Sequence, residues 1–225
     1  MSKNPANVTV YGRLSFPVWT YKEAVARNAA APANVRKADE ATVTPEFNLV
    51  LEQNQLDKFI AHVENVYFPW VNANFAAGEK RNSLEKKHTD MLLKTLTGDL
   101  EVQPPYVPLK PVSEKTLSMA PEAVAMIKVV GQRGLDLEQK AIVNSEDELV
   151  VPEPDLLVYP VVRPIGRTVH KMYPGAYVAA TMNLYTFISG KLPGFSASAS
   201  TAVFKADADR FGGGVAVDEE DIFED

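Results

Sequence analysis

Residues 175–189 read GAYVAATMNLYTFIS, a stretch in which residue type alternates along the chain. Val178, Ala180, Met182 and Leu184 fall on one face of an extended backbone, and Tyr177, Thr181, Asn183, Tyr185 and Phe187 fall on the other. Successive side chains of a strand point to opposite faces, so this pattern predicts a long strand. Its first face is apolar and suited to a core. Its second face is aromatic and polar without charge, which suits base stacking. Parity leaves a second arrangement open, in which both faces are buried, one inside a barrel and one beneath helices.

The chain upstream has the same character. Residues 8–19, VTVYGRLSFPVW, place Val8, Val10 and Leu14 against Thr9, Tyr11, Arg13 and Ser15, a first strand with Trp19, Tyr21 and Lys22 at its end. Residues 24–41 are small, polar and interrupted by Pro32, and they predict a mobile loop rather than a packed helix. In TVTPEFNLVLE (42–52), Val43, Phe47, Leu49 and Leu51 share strand parity, and Pro45 puts the start of this second strand near an edge. From Gln55 to Ala77 the period changes: Leu56, Phe59, Ile60, Val63, Val66 and Tyr67 recur at three and four, a helix that reaches Phe68 before Pro69 breaks it. Residues 83–96 predict a shorter helix with Ser83 as N-cap and Lys86 and Lys87 exposed. Residues 98–121 hold five of the 16 prolines and read as a connector with short extended pieces. Strand-like segments follow at 124–130, 156–162, 176–188 and 195–204. Two strands, then helices, then several strands predict a mainly β fold: an antiparallel barrel with helices inserted after strand two, near 53–96.

A chain of 225 residues with 46% hydrophobic and 23% charged residues can fold as one domain. The absence of cysteine excludes disulfides, thiolate metal sites and cysteine nucleophiles, and it fits a reducing compartment. No apolar run reaches the roughly 18 residues of a membrane helix. The opening MSKNPANVTV lacks the apolar stretch of a signal peptide, so a cytoplasmic protein without membrane contact is expected. The net charge of −6 is unevenly distributed. Residues 1–40 carry six Lys/Arg against three acids, residues 41–155 eleven against eighteen, residues 156–214 six against two, and residues 215–225 none against six. The chain therefore joins two basic segments to an anionic tail, which also has the simpler reading of a solubility aid.

Cations beside aromatics are what single-strand binding requires, because the cations hold phosphates and the rings stack on bases whatever their identity. Tyr11 beside Arg13 meets that description, as do Arg163, Arg167, His170 and Lys171 just ahead of Tyr177. Catalytic patterns are weak. Glu138-Gln139-Lys140 has a Glu-x-Lys spacing used by some metal-dependent nucleases, but no partner acid accompanies it in a strand context. His62, His88 and His170 are far apart and lack ligand spacing; His62 is expected to pack on its helix and His88 to lie at the surface. There is no Gly-x-Ser-x-Gly and no Walker loop, so no catalytic residue, metal or cofactor is expected.

Four stretches together carry a resemblance to a known family. VYGRLSFPVW (10–19), TPEFNLVLEQNQLDKFIAHVE (44–64), YPGAYVAATMNLYTF (173–187) and FGGGVAVDEEDIFED (211–225) resemble, in order and spacing, the OB-fold single-stranded-DNA-binding proteins of tailed phages. The resemblance implies an OB-like antiparallel barrel over residues 1–211 and a glycine hinge with a disordered acidic tail over residues 212–225. It implies a non-catalytic protein of phage replication or recombination in the host-cell cytoplasm that binds single-stranded DNA without sequence preference. By position, Tyr11, Arg13, Trp19, Tyr177, Tyr185 and Phe187 would line the DNA path, with Tyr21, Lys22, Arg163, Arg167 and Lys171 beside them. Asp218, Glu219, Glu220, Asp221, Ile222, Phe223, Glu224 and Asp225 would contact replication or recombination partners. A homodimer is left open, as is a structural or assembly role for a β-rich domain with an acidic tail. The sequence departs from the family pattern in its neutral body and in a long acidic region, 78–155.

Overall fold

The computed structural model describes residues 4–34, 36–37, 39, 42–74, 84–98, 106–131, 142–144 and 173–211. Seven strands form one sheet: β1 (Asn7–Val18), β2 (Glu46–Leu51), β3 (Leu109–Lys110), β4 (Ala125–Val130), β5 (Ile142–Asn144), β6 (Tyr177–Ser189) and β7 (Leu192–Ala206). Their order is β3-β4-β2-β1-β6-β7-β5. An added parallel pairing, Val129↔Ala197 and Val130↔Ser198, joins β4 to β7, so that β1, β2, β4, β7 and β6 hydrogen-bond in a ring. The expectation of mainly antiparallel pairing describes the rest of the ring, and β5 adds a second parallel contact to β7.

Closing a sheet requires bends, and these fall where the register shifts. One extra residue lies between Ser15 and Val18 of β1, where Pro17 sits in the irregularity. Two more shifts bend β6 against β7, at Tyr177/Val178 and Thr181/Met182. Val10, Leu14, Leu49, Leu51, Ile127 and Met182 are fully buried inside the ring, as their parity predicts.

The helices fill the interior from one side. In α2 (Gln53–His62), Phe59 joins the core, as do Val63 and Tyr67 from the π-helical turn Val63–Tyr67, Phe68 and Val71 from α3 (Phe68–Asn74), and Leu92 and Leu96 from α4 (Lys86–Thr97). The expected break at Pro69 does not occur. Phe68 N–H bonds to Val63 C=O, five residues back, and this wider turn takes in a ring that would clash with the carbonyl four residues back in a regular helix. Tyr67 lies against the Thr186 side chain, and burial pushes its phenol well above the ordinary range. The N-cap of α4 is Glu85, not Ser83, which lies outside the described residues; Lys86 and Lys87 are exposed, and His88 Nδ1 accepts from Glu85 N–H at 3.3 Å. His62 is half-buried and bonds to the Pro5 carbonyl at 2.9 Å.

Three further expectations are corrected. The expected mobile loop begins with α1 (Tyr21–Ala30), capped by a reciprocal Thr20–Glu23 box and docked through Ala24 on Val18 and Val43. It stops at Ala31, which Pro32 holds extended. Strand β2 starts after Pro45 and is interior, flanked by β1 and β4. The connector contains β3, as an extended piece, and also a one-turn helix, α5 (Glu114–Leu117), capped by Ser113. The strand expected at 156–162, the nuclease-like triplet at 138–140 and His170 lie outside the described residues.

Candidate nucleic-acid interface

The second face of β6 is not covered by helices. Tyr185 keeps 39% of its surface open and Phe187 is half-buried beside it, ring centroids 6.2 Å apart at 40°. Tyr106, 54% exposed, extends the row on the other side of Phe187 at 6.2 Å and 38°. The seat of Phe187 is made by Gly194, its cross-strand partner on β7: a Cβ there would stand 2.6 Å from the Phe187 ring and 3.1 Å from Tyr106 Cβ. A glycine opposite an aromatic lets the ring lie down on the neighbouring backbone. The result is a row of three tilted rings on a hydrogen-bonded hairpin.

Towards the other end of β6 the face turns polar and uncharged. Asn183 Nδ2 donates to Asn7 Oδ1 at 2.8 Å, and the Thr181 and Thr9 hydroxyls meet at 2.8 Å. Beyond them lies Tyr11, 44% exposed, with Lys58 Nζ 5.3 Å from its ring centre. From Tyr177 to Phe187 the strand spans roughly 33 Å at ~3.3 Å per residue. Aromatics thus occupy both ends of a face whose middle offers hydrogen bonds, an arrangement able to stack bases and contact their edges without charge repulsion.

Arg13 does something other than sequence position implied. It is 6% exposed, and its guanidinium donates to three carbonyls: Nε to Gly175 at 3.0 Å, Nη1 to Met119 at 3.0 Å, and Nη2 to Asp209. Its carbon Cζ lies 4.3 Å from the Phe211 ring centre, and Glu122 pairs with Nη1 at 3.6 Å. These contacts latch the segment 207–211, which follows β7, onto the turn that opens β6. Tyr173 completes the latch, its hydroxyl bonding to Asp207 Oδ1, Ala208 C=O and Ala208 N–H. Gly175 is required there: its φ is 109°, and a Cβ would meet Asp209 C=O. A guanidinium held in this way clamps the chain's own carbonyls, whereas its sequence position suggested a place in the DNA path.

Tyr177 is half-buried beside Arg13, its hydroxyl 3.4 Å from Glu52 Oε1. Burial raises its pKa, and the Glu52 and Glu122 carboxylates raise it further. Trp19 is half-buried, packed on the core with its ring 5.8 Å from Phe47. Tyr21 packs with Val18, Ala24 and Val43, while Lys22 is exposed on α1. The structure therefore brings Tyr185 and Phe187 together and leaves Trp19 and Tyr21 apart from them. Arg163, Arg167, Lys171 and Asp218 to Asp225 lie outside the described residues. Sequence reading missed Tyr106, which has no strand parity to mark it and reaches the row through a single bridge to Gly194. It also missed Lys58, exposed on the polar side of α2 at a spacing that could have flagged it. Among the described residues no three His, Asp or Glu side chains converge on a metal-sized site, and no helix is long and apolar enough to cross a membrane.

No protein-family model matches the chain, and no curated protein matches it. Solved structures to which it is similar include single-stranded DNA-binding proteins of bacteriophages. One is the single-stranded DNA-binding protein from bacteriophage Enc34, 14% identical over 100% of this chain and 97% of that one, TM-score 0.45. The same protein in complex with ssDNA is 12% identical over 94% and 97% of the two chains, TM-score 0.47. Another is gp2.5, a single-stranded DNA binding protein encoded by bacteriophage T7, 8% identical over 96% and 98%, TM-score 0.43.

Proposed function

We propose that the chain is a non-catalytic protein that binds single-stranded DNA without sequence preference, on an OB-type barrel formed by the ring β1-β2-β4-β7-β6. The parallel closure of the third and fifth ring strands in chain order supports that barrel type. The observation that carries the function is the exposed row Tyr185–Phe187–Tyr106 beside an uncharged polar face. Every base has a face that can stack on such rings, so recognition is indifferent to sequence. In this reading the protein protects and presents strands during phage DNA replication or recombination in the host cell. The segment Asp218 to Asp225 is then the contact for replication or recombination proteins, and Ile222 and Phe223 are its apolar anchors.

An assembly role is the second reading, and Ile188 and Leu192 favour it, because these exposed apolar residues at the hairpin tip would suit contact with another protein or a second copy. Titration of a fluorescent single strand at two salt concentrations, beside the matching duplex, separates the two. Single-strand binding that weakens with salt and exceeds duplex binding is expected. Failure to bind either at low salt would refute it. Incubation with magnesium or manganese should leave labelled DNA intact; cleavage lost in Glu138→Ala would overturn the non-catalytic assignment.

A further inference from the structure

A pocket separate from the aromatic row is lined by α1 and the segment after it, by Val18 at the end of β1, and by Glu46 of β2 and Lys128 of β4. Its floor is apolar, built from Val18, Ala24 and Val43. Its rim is cationic: Arg27 from the last turn of α1, Lys37 from the following loop and Lys128 from β4. Lys110 stands beside Lys128, since β3 and β4 pair at Lys110↔Met126 and the two lysines share a face. Glu46 is the one carboxylate among the residues that line the pocket, and it pairs with Lys128.

The rim is held in place before any ligand arrives. Asn28 grips the Lys37 backbone at two points, Nδ2 donating to Lys37 C=O at 3.0 Å and Oδ1 accepting from Lys37 N–H at 2.9 Å. Arg36 donates twice to Ala31 C=O, fixing the loop between. Lys37 Nζ reaches Thr42 C=O at 3.0 Å, a contact that leaves its charge unneutralised. Among the described residues Arg27 makes no hydrogen bond or ion pair, so its planar fork of donors is open. The one lining carboxylate, Glu46, is already paired with Lys128, so the charges of Arg27 and Lys37 at the rim are left without a carboxylate among the lining residues. Burial holds the Lys110 ammonium below the ordinary lysine range, and Lys128 and Arg27 push the same way against the opposing pull of Glu46. Crowded like charges around a preformed recess are relieved by an anion entering it.

We infer that this pocket binds a phosphate group, with Arg27 and Lys37 as its direct ligands and Lys110 and Lys128 supplying the surrounding field. Arginine favours this role because its fork matches phosphate oxygens two at a time. The occupant is a backbone phosphate of the bound single strand, an assignment that rests on the function proposed above and extends the binding surface beyond the stacking row. Lys128 is left intact in the test because it partners Glu46.

The experiment uses the full chain and the double variant Arg27→Ala/Lys37→Ala, with two probes. Inorganic pyrophosphate should raise the melting temperature of the wild type and leave the variant unmoved; a wild type that does not respond, or a variant that responds equally, overturns the pocket. A fluorescent oligothymidylate is then titrated across salt concentrations. Each phosphate contact on a single strand contributes about 0.7 to the slope of log affinity against log salt, so the variant, which loses the one phosphate held in the pocket, should have a slope shallower by about 0.7. An unchanged slope beside a lost pyrophosphate effect would overturn the strand assignment. If the wild type failed to bind the oligonucleotide at all, the proposed function would fall while the pyrophosphate result still decided the pocket.

Discussion

Replacing Tyr185 with alanine tests whether the open face of β6 is a stacking surface. A buried aromatic covers on the order of 150–250 Å², so the 39% of Tyr185 left open is roughly 60–100 Å² available to a base. At about 25 cal/mol per Å² that contact is worth roughly 1.5–2.5 kcal/mol, within the ~1–3 kcal/mol found for base–aromatic stacking. The dissociation constant for a single strand should rise about 10- to 60-fold. Folding should change little, because the ring belongs to the exposed row, tilted against Phe187, and not to the buried core cluster. Fluorescence anisotropy with a labelled oligothymidylate reads the affinity, and thermal melting of the same sample reads stability. Trp19→Ala is the contrasting variant. Its ring packs on Phe47 and the core, so its loss should lower stability by about 2–4 kcal/mol and the melting temperature by at least ~5 °C. Wild-type affinity in a fully folded Tyr185→Ala protein would refute the stacking argument.

Arg13→Met should strand three carbonyl acceptors and free the segment 207–211, at a cost of about 3 kcal/mol or more by denaturant titration; Arg13→Lys should not restore it, since one ammonium cannot reach three diverging carbonyls. Gly194→Ala should lift the Phe187 ring from its seat and weaken single-strand binding, with loss of hairpin amide protection in hydrogen exchange if β7 must shift to make room. A chain ending at Gly214 should bind single strands more tightly than the full chain at low salt, with a difference that shrinks as screening shortens to about 8 Å near 0.15 M. Equal affinities at low salt would return the acidic segment to a solubility role.

The amino-acid sequence by itself determined the longer strands β1, β2, β4, β6 and β7 and the inner faces of β1 and β6. Alternation is a property of the local backbone, and Val8, Val10 and Leu14, like Val178, Ala180 and Met182, are buried as their parity requires. The helical period of residues 56–67 was legible for the same reason. Features that depend on distant segments were not. Arg13 reads as a surface cation by parity, yet its acceptors lie 106, 162 and 196 residues away, and only the closed ring brings them to it. Tyr106 looks like connector until Phe187 and Gly194 give it a place in a row. Helix α1 looked too polar to pack because a single residue, Ala24, is buried from it, and its partners are Val18 at the end of β1 and Val43 in the segment that leads into β2. Pro69 reads as a stop until the π turn before it makes room. Parity records which way a side chain points; which groups wait for it there is decided by how the ring closes.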